Sequence, residues 1–183
     1  AVPGLNADRA DIIAAGAAVV AEVAAAVGAR ELRVSGHGLR EGLFYPYLLP
    51  DAPDHLLDDV RGFSVLNLMR QYHDDEAHNA HVRRLALALF DGLRPYHALG
   101  EAERELLGHA AYVHDIGMAV DYYRHEHHGQ ALVLGRALPG FDHREQALLA
   151  LLVRFHRKGQ PGPEGLGVLL DPGDLDRLRL LAG

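Results

Sequence analysis

From Pro53 to its last residue the sequence has helical periodicity and lacks strand-like alternation, and this constrains the fold more than any other feature. Pro95, Gly117 and the pair Pro139-Gly140 each interrupt an apolar pattern and separate one helix from the next. The turn formers in residues 159–167 predict a loop. The predicted helices cover Asp54–Arg70, Asp75–Leu93, Gly100–Ile116, His125–Leu138, Asp142–Arg157 and a segment from about Asp174. Residues 53–183 therefore read as an all-α domain.

Residues 1–52 have a different, mixed pattern. The predicted elements are a helix over Asp8–Val27 with Asn6 or Asp8 as its N-cap and Gly28 as its stop, a strand over Glu31–Ser35, and a helix over Leu39–Leu49 that Pro46 and Pro50 bend or end. One strand cannot form a sheet, because its backbone groups stay unpaired. We therefore expect residues 1–52 to be a fragment of an α/β domain. The missing part of a longer parent would complete it, or a second copy would pair with its strand in a homodimer.

Composition excludes several classes of function. With 18 basic and 25 acidic side chains the net charge is −7, which disfavours specific nucleic-acid binding. The absence of cysteine excludes disulfides, thiolate zinc sites and cysteine nucleophiles. The longest uncharged apolar run, Ile12–Ala21, is shorter than the roughly 18 residues of a membrane span, and no signal peptide is recognisable. A cytoplasmic protein without a membrane partner is expected.

The 13 histidines are the unusual feature of the composition. In four predicted helices a stripe of apolar residues leads to one of them, namely to His78, His114, His128 and His156. The stripes are, in the same order, Val82, Leu85, Ala86 and Leu89; Leu107, Ala110 and Ala111; Ala131, Leu132 and Gly135; and Leu149, Leu152 and Val153. A buried imidazole without a partner costs about 1–3 kcal/mol, so a shared metal ion explains four of them better than four separate penalties.

Alternatives stay open at these positions, and for His114 with Asp115 the alternative to a metal site is a structural pair at a helix end. His81 competes with His78, and His125 or His127 competes with His128, because the run HEHH leaves the helical register open. His128 and His156 are second-metal or phosphate ligands in one interpretation and buried histidines with hydrogen-bonded partners in the other.

The string YVHDIG contains the strongest local signal. His114 and Asp115 are about 100° apart around a helix, so both side chains can reach one ion, and Gly117 ends the helix beside them. Without thiolates, the mixed nitrogen and oxygen ligand set suits Mn, Fe, Co, Ni or Zn better than Ca or Mg, although Mg stays among the candidates. Arg157 and Lys158, directly after His156, are either a solvated helix end or a phosphate-binding pair.

These residues resemble two related families. His78, His114-Asp115, His128 and His156 are similar to the ligands of the HD superfamily of metal-dependent phosphohydrolases. The strings RADIIAAG, LRVSGHGLREGLFYPYL, HDIGMAVDYYRHEHHG and LPGFDHREQALLALLVRFHRKGQPG resemble the C-terminal half of the exopolyphosphatase/guanosine pentaphosphate phosphatase (Ppx/GppA) family. The resemblance implies an HD-like helical bundle in residues 53–183, preceded by the end of an actin-like α/β domain in residues 1–52.

The resemblance also implies two departures from the family pattern. The actin-like domains carry the phosphate-binding loops and the catalytic carboxylate, and these loops have no counterpart here. A final aspartate that would complete the metal site is also absent, since Asp174 and Asp176 precede its expected position. A C-terminal fragment of a longer protein, or a truncated homologue, is therefore expected.

Two functions are compatible with this sequence. In the first, His78, His114 and Asp115 hold a divalent metal, His128 and His156 bind a second ion or the substrate phosphate, and Arg157 and Lys158 bind substrate. Asp115 is then the catalytic carboxylate, and polyphosphate, guanosine polyphosphates or nucleotides are hydrolysed by a metal-activated water. In the second, the chain is a non-catalytic regulatory, polyphosphate-binding and dimerisation module of a larger exopolyphosphatase.

Overall fold

The computed structural model describes residues 6–32, 34, 38–51, 56–72 and 75–182. Within these ranges the chain forms eight α-helices and no strand, so the prediction of a mainly helical protein is confirmed. The chain divides into two compact units, Ala1–Leu56 and Leu57–Gly183. None of the described helices is both long enough and apolar enough to cross a membrane.

The first unit contains two helices, α1 (Ile13–Ala26) and α2 (Leu39–Leu48). The predicted N-cap of α1 is wrong: the Asn6 side chain accepts a hydrogen bond from the backbone N–H of Asp8 and caps a short 3₁₀ turn before the helix. Gly28 follows the end of α1 with φ +66°, as its predicted role as a stop requires. α1 has no buried residue, so its apolar side chains are open to solvent within the described structure.

The predicted strand is not present in the described part of the first unit. Arg33 and Ser35 lie outside the described residues, while Glu31, Leu32 and Val34 have no regular secondary structure. Val34 is 99% exposed. A strand needs the backbone donors and acceptors of a neighbouring strand, and the described residues contain none. The actin-like α/β fragment expected from the sequence is therefore not seen.

Three helices of the second unit begin at aspartate caps, namely Asp59, Asp75 and Asp142. Asp59 accepts a hydrogen bond from the Gly62 N–H at 2.7 Å and caps the first helix of this unit. The predicted start at Asp54 lies outside the described residues, and residues 56–59 are not helical. Asp142 and Glu145 form a reciprocal capping box. The helices of this unit are α3 (Val60–Gln71), α4 (Glu76–Gly92), α5 (Glu101–Val113), α6 (His125–Leu134), α7 (His143–Phe155) and α8 (Asp174–Ala182).

Helix α7 lies at the centre of the second unit. Its residues from Ala147 to Val153 are all buried, and the helix packs against α5, α6 and α8. Residues of α3, α5, α6 and α8, including Met69, Val133 and Leu178, complete the apolar core. Because α7 is enclosed by its neighbours, His156, which caps its C-terminal end, is held at a fixed point in the fold.

Two of the predicted stripes are wrong. In α4, Leu85 and Leu89 are 54% and 64% exposed, because α4 is an outer helix packed mainly against α5. The buried residues of α4 are Asn79, Leu87 and Phe90. In α6, the predicted stripe from His128 through Ala131, Leu132 and Gly135 is replaced by a buried face of His125, Glu126, Gly129 and Val133.

Candidate metal centre

His114 and Asp115 lie where α5 ends. The helix stops at Val113, and Asp115 precedes a 3₁₀ turn over Ile116–Ala119, so the chain changes direction at this pair. The Nε2 atom of His114 is 3.2 Å from Oδ2 of Asp115. Both side chains are largely shielded from solvent, at 12% and 15% exposed. The pair predicted from the sequence therefore forms a semi-buried imidazole–carboxylate contact.

Two further histidines contact the other oxygen of the same carboxylate. His125, the first residue of α6, places Nε2 3.2 Å from Oδ1 of Asp115 and is almost fully buried. His156, at the end of α7, places Nε2 3.4 Å from that oxygen. The two Nε2 atoms are 3.3 Å apart. Three helix ends thus bring three imidazole nitrogens to one carboxylate.

The Nδ1 atom of each of these three imidazoles lies within hydrogen-bond distance of a backbone carbonyl oxygen. Nδ1 of His114, His125 and His156 lies 3.0, 3.0 and 2.7 Å from the carbonyl oxygen three residues earlier in the chain. A carbonyl oxygen can only accept, so each Nδ1 carries the proton and donates it. In the neutral imidazole the Nε2 atom then has a free lone pair. This orientation is typical of metal-ligating histidines.

The arrangement needs a positive charge between its nitrogens. Two neutral Nε2 lone pairs facing each other at the His125–His156 distance repel, unless a proton or a cation lies between them. Burial alone would raise the pKa of Asp115, but hydrogen bonds and positive charge from His114 and His156 in their protonated forms outweigh it and hold that pKa well below its ordinary value. The cluster therefore fits a carboxylate that stays ionised and is balanced by a cation. A divalent metal ion is one such cation.

His78 lies at the exposed side of this cluster. Its ring centroid is 5.5 Å from that of His114. The ligand atoms of His78, His114 and Asp115 lie within 4.8 Å of one another, and so do those of Asp115, His125 and His156. Asp115 belongs to both groups, so its carboxylate could be shared by two neighbouring ions. We call these five residues the His/Asp cluster.

A close backbone approach holds His125 in the cluster. A Cβ atom on Gly117 would collide with the carbonyl oxygen of His125 and would meet the backbone nitrogen of Gly129 at 2.5 Å. A Cβ on Gly129 would come within 2.7 Å of a methyl group of Val153. The two glycines thus let the 3₁₀ turn, α6 and α7 approach closely enough for His125 to reach Asp115.

The structure brings most of the sequence-predicted site residues together. His78, His114, Asp115 and His156 belong to the cluster, whereas His128 is half-buried and in neither metal-capable group. His125 takes its place, one of the two alternatives that the HEHH run left open. Sequence periodicity selected the wrong register there, because the buried face of α6 begins at His125.

The cationic and acidic neighbours have different roles. Arg157 and Lys158 follow His156 directly and are exposed, and the described residues offer neither of them an ion-pair partner within 4 Å. Asp174, only 1% exposed, receives hydrogen bonds of 2.9 and 2.5 Å from Arg144. Asp176 accepts one from Arg179. Neither aspartate is part of the His/Asp cluster.

Comparison with known proteins relates both parts of the chain to one phosphatase family. Residues 60–164 match the Ppx/GppA phosphatase, domain III, and residues 1–50 match the Ppx/GppA phosphatase family. The chain is also similar to the guanosine-5'-triphosphate,3'-diphosphate pyrophosphatase of Aeromonas hydrophila, with 30% identity over 151 residues. This alignment covers 82% of the chain and 30% of that relative, so the chain spans less than a third of its length.

Proposed function

Because this chain belongs to the Ppx/GppA phosphatase family, we propose that its His/Asp cluster binds a divalent metal ion and supports hydrolysis of a phosphate anhydride or ester. The observation that carries the proposal is the convergence of three Nε2 atoms on Asp115, each with its Nδ1 proton fixed on a carbonyl. Polyphosphate, guanosine polyphosphates and nucleotides are the substrates considered. The name of the Aeromonas relative, a guanosine-5'-triphosphate,3'-diphosphate pyrophosphatase, supports this range of substrates.

Each residue of the cluster has a distinct role in this proposal. When bound, the metal supplies a Lewis acid for a phosphoryl oxygen and acidifies a water molecule. Asp115 is the catalytic carboxylate: its lowered pKa keeps it ionised at neutral pH, so it binds cations and orients a water rather than donating a proton. The buried His125 shields one side of the site from solvent, and His78 lies at the side open to substrate.

Arg157 and Lys158 are proposed to bind the substrate phosphate. They follow the proposed ligand His156, are exposed and form no ion pair within 4 Å among the described residues, although the charge of Lys158 also helps to lower the pKa of the buried Glu126. Guanidinium and ammonium groups are the usual side-chain partners of phosphate oxygens. Replacing each by alanine should raise KM for a phosphate substrate while the metal affinity stays unchanged. Equal loss of metal affinity would contradict this role.

A metal titration with matched variants tests the central proposal. Calorimetry with Mn²⁺ on the 183-residue chain should detect binding, and Asp115→Ala or His156→Ala should weaken it by more than about 10-fold, as loss of even an outer-shell group can. His128→Ala is the matched control, because His128 lies in neither metal-capable group. A phosphatase screen with the same proteins should follow the same order. Unchanged metal affinity in both cluster variants would contradict the proposal.

A second candidate function is a non-catalytic regulatory, polyphosphate-binding and dimerisation module of a larger exopolyphosphatase. The exposed apolar side chains of the first unit favour it, because α1 has no buried residue and Phe44 and Tyr47 of α2 are 64% and 83% exposed. Such a surface suits packing against the actin-like domains of the family or against a second copy. Metal binding without hydrolysis of any phosphate compound, together with polyphosphate binding, would favour this candidate.

A further inference from the structure

Arg124, the residue directly before α6, has an unusual backbone conformation. Its φ and ψ of 60° and 28° lie in the left-handed region, and among the described residues other than glycine only Glu164 also has a positive φ. For an L-residue this conformation costs about 1–2 kcal/mol. Strained residues of this kind concentrate at functional sites, and Arg124 directly precedes His125 of the His/Asp cluster.

Hydrogen bonds on both sides hold Arg124 in this conformation. Before it, the Tyr123 N–H donates to the Asp121 carboxylate at 2.9 Å. After it, the Arg124 carbonyl accepts the backbone N–H of His127 at 2.8 Å and so closes the first turn of α6. The Arg124 side chain does not cap the helix, and its guanidinium lies 3.3 Å from Nε2 of His127 in an exposed contact. The surrounding contacts therefore fix the backbone of Arg124 more firmly than its side chain.

The left-handed turn at Arg124 determines where the carbonyl of Tyr122 points. If Arg124 were right-handed, α6 would extend backwards, and that carbonyl would lie along the helix axis and accept a backbone N–H four residues later. Here it instead accepts the Nδ1 proton of His125 at 3.0 Å. The Nε2 atom of the same ring lies 3.2 Å from Oδ1 of Asp115. A change of conformation at Arg124 would therefore move the carbonyl away from the imidazole that it orients.

We propose that Arg124 is a positioning residue, which directs Nε2 of His125 towards Asp115 through its left-handed backbone and not through its charge. The value of this for metal binding rests on the proposed function, whereas the orientation of the imidazole can be observed without a metal. A ring that donates Nδ1–H to the Tyr122 carbonyl presents the lone pair of Nε2, as metal-ligating histidines do. Glycine or asparagine should therefore replace Arg124 without loss, because both tolerate the left-handed region, whereas a β-branched residue should not.

The Nδ1 proton of His125 tests this inference in the metal-free chain. Because His125 is buried, a proton held between Nδ1 and the Tyr122 carbonyl should exchange slowly and give a resolved signal in proton–nitrogen correlation spectra of the chain with isotope-labelled histidine. The signal is assigned by its absence from His125→Gln. Arg124→Gly and Arg124→Asn should keep it, and Arg124→Val should lose it.

A Mn²⁺ titration connects this orientation to the proposed function. In calorimetry, Arg124→Gly and Arg124→Asn should bind Mn²⁺ as the unmodified chain does. Arg124→Val should bind it about 10-fold or more weakly, the loss expected when the outer-shell partner of a ligand is removed.

Glu164→Val is the matched control for backbone strain. Glu164 has φ 43° and is exposed, but it belongs to neither metal-capable group. Valine at this position should lower Tm, as at Arg124, because a β-branched residue is poorly tolerated at positive φ. Mn²⁺ affinity and the Nδ1 signal of His125 should stay unchanged.

Three results would overturn the inference. If Arg124→Gly loses the Nδ1 signal and Mn²⁺ affinity, the side chain acts rather than the backbone. If Arg124→Val keeps both, the left-handed conformation is not needed. If Glu164→Val weakens Mn²⁺ binding equally, the effect of strain is not specific to His125. Absence of Mn²⁺ binding in every protein, the unmodified chain included, would contradict the proposed function, and the Nδ1 signal of the metal-free chain would still decide the role of Arg124.

Discussion

Gly117→Ala should displace His125 and thereby damage the cluster without removing any ligand. The added Cβ would collide with the His125 carbonyl oxygen and would lie 2.5 Å from the backbone nitrogen of Gly129. Both contacts are with backbone, so no rotamer change can relieve them. The 3₁₀ turn and the start of α6 must move apart, and His125 moves with α6.

The expected magnitude follows from the number and kind of these contacts. Overpacking in a well-packed interior costs about 1–3 kcal/mol, and a collision with two backbone groups belongs at the upper end of that range. For a chain of 150–250 residues, each kcal/mol shifts Tm by about 2–4 °C. Gly117→Ala should therefore lower Tm by about 5–10 °C in thermal denaturation followed by circular dichroism. Mn²⁺ affinity should fall by about 10-fold or more, because ligand placement is altered.

Gly92→Ala provides a control of opposite sign. Gly92 is the last residue of α4, and a Cβ there meets no atom within 4 Å. Alanine in place of an unstrained helical glycine stabilises by about 0.5–1 kcal/mol, so this variant should have an unchanged or slightly raised Tm and normal metal affinity. The reasoning is refuted if Gly117→Ala matches the unmodified chain in both Tm and Mn²⁺ affinity.

Three further predictions concern other parts of the chain. Asp174→Asn should destabilise the second unit by about 1–3 kcal/mol at pH 7 in urea denaturation, because it removes the buried partner of Arg144, which keeps only the exposed Asp171. Burial opposes ionisation of Asp174, but hydrogen bonds from Arg144 and the Asp171 N–H outweigh it and lower the pKa of this carboxyl. The stability from the ionised form is therefore present above the unfolded-state pKa of about 3.9, and the unfolding free energies of the variant and the unmodified chain should converge as the pH falls below that value. Burial lowers the pKa of His109, so the stability that comes from its neutral form is present above the unfolded pKa of about 6.5 and is lost as the pH falls below it. Between pH 7 and 5.5, His109→Gln should therefore lose less stability than the unmodified chain. An equal loss would exclude this contribution. Light scattering of the purified chain should give a mass above 19.9 kDa, and glutamate at Val19 and Val23, which are 63% and 58% exposed on one face of α1, should reduce it; a monomer before substitution would contradict this.

The helices of the second unit could be predicted because their signals are local. Asp75 and Asp142 begin α4 and α7 as caps, each accepting a hydrogen bond from a backbone N–H three residues later. Gly117 lies just beyond the end of α5, within the 3₁₀ turn. Local signals could not decide whether the predicted strand of the first unit forms, because a strand is stable only beside a neighbouring strand, which can lie far away in sequence.

The prediction that the α4 stripe is buried was wrong for a different reason. Leu85 and Leu89 recur with helical spacing, and such a stripe normally faces a core. Spacing reveals that the apolar residues share a face, but it does not reveal whether another element covers that face. In the second unit α4 packs mainly on α5 and buries Asn79, Leu87 and Phe90, while Leu85 and Leu89 of the stripe stay exposed.

The choice between His125 and His128 also depends on which neighbouring element covers the helix, in this case at its first turn. The two residues are three positions apart in α6, so both lie on neighbouring parts of one helical surface, and either could face the core. What selects His125 is the approach of Gly117 to the start of α6, which places the first turn of that helix against Asp115. The carbonyl of Tyr122 then fixes its imidazole, a contact supplied by the loop before the helix and therefore absent from any helical pattern. His114, His125 and His156 each lie at a helix end rather than along a helix face, so an argument from apolar stripes can find their helices without finding the register in which His125 reaches Asp115.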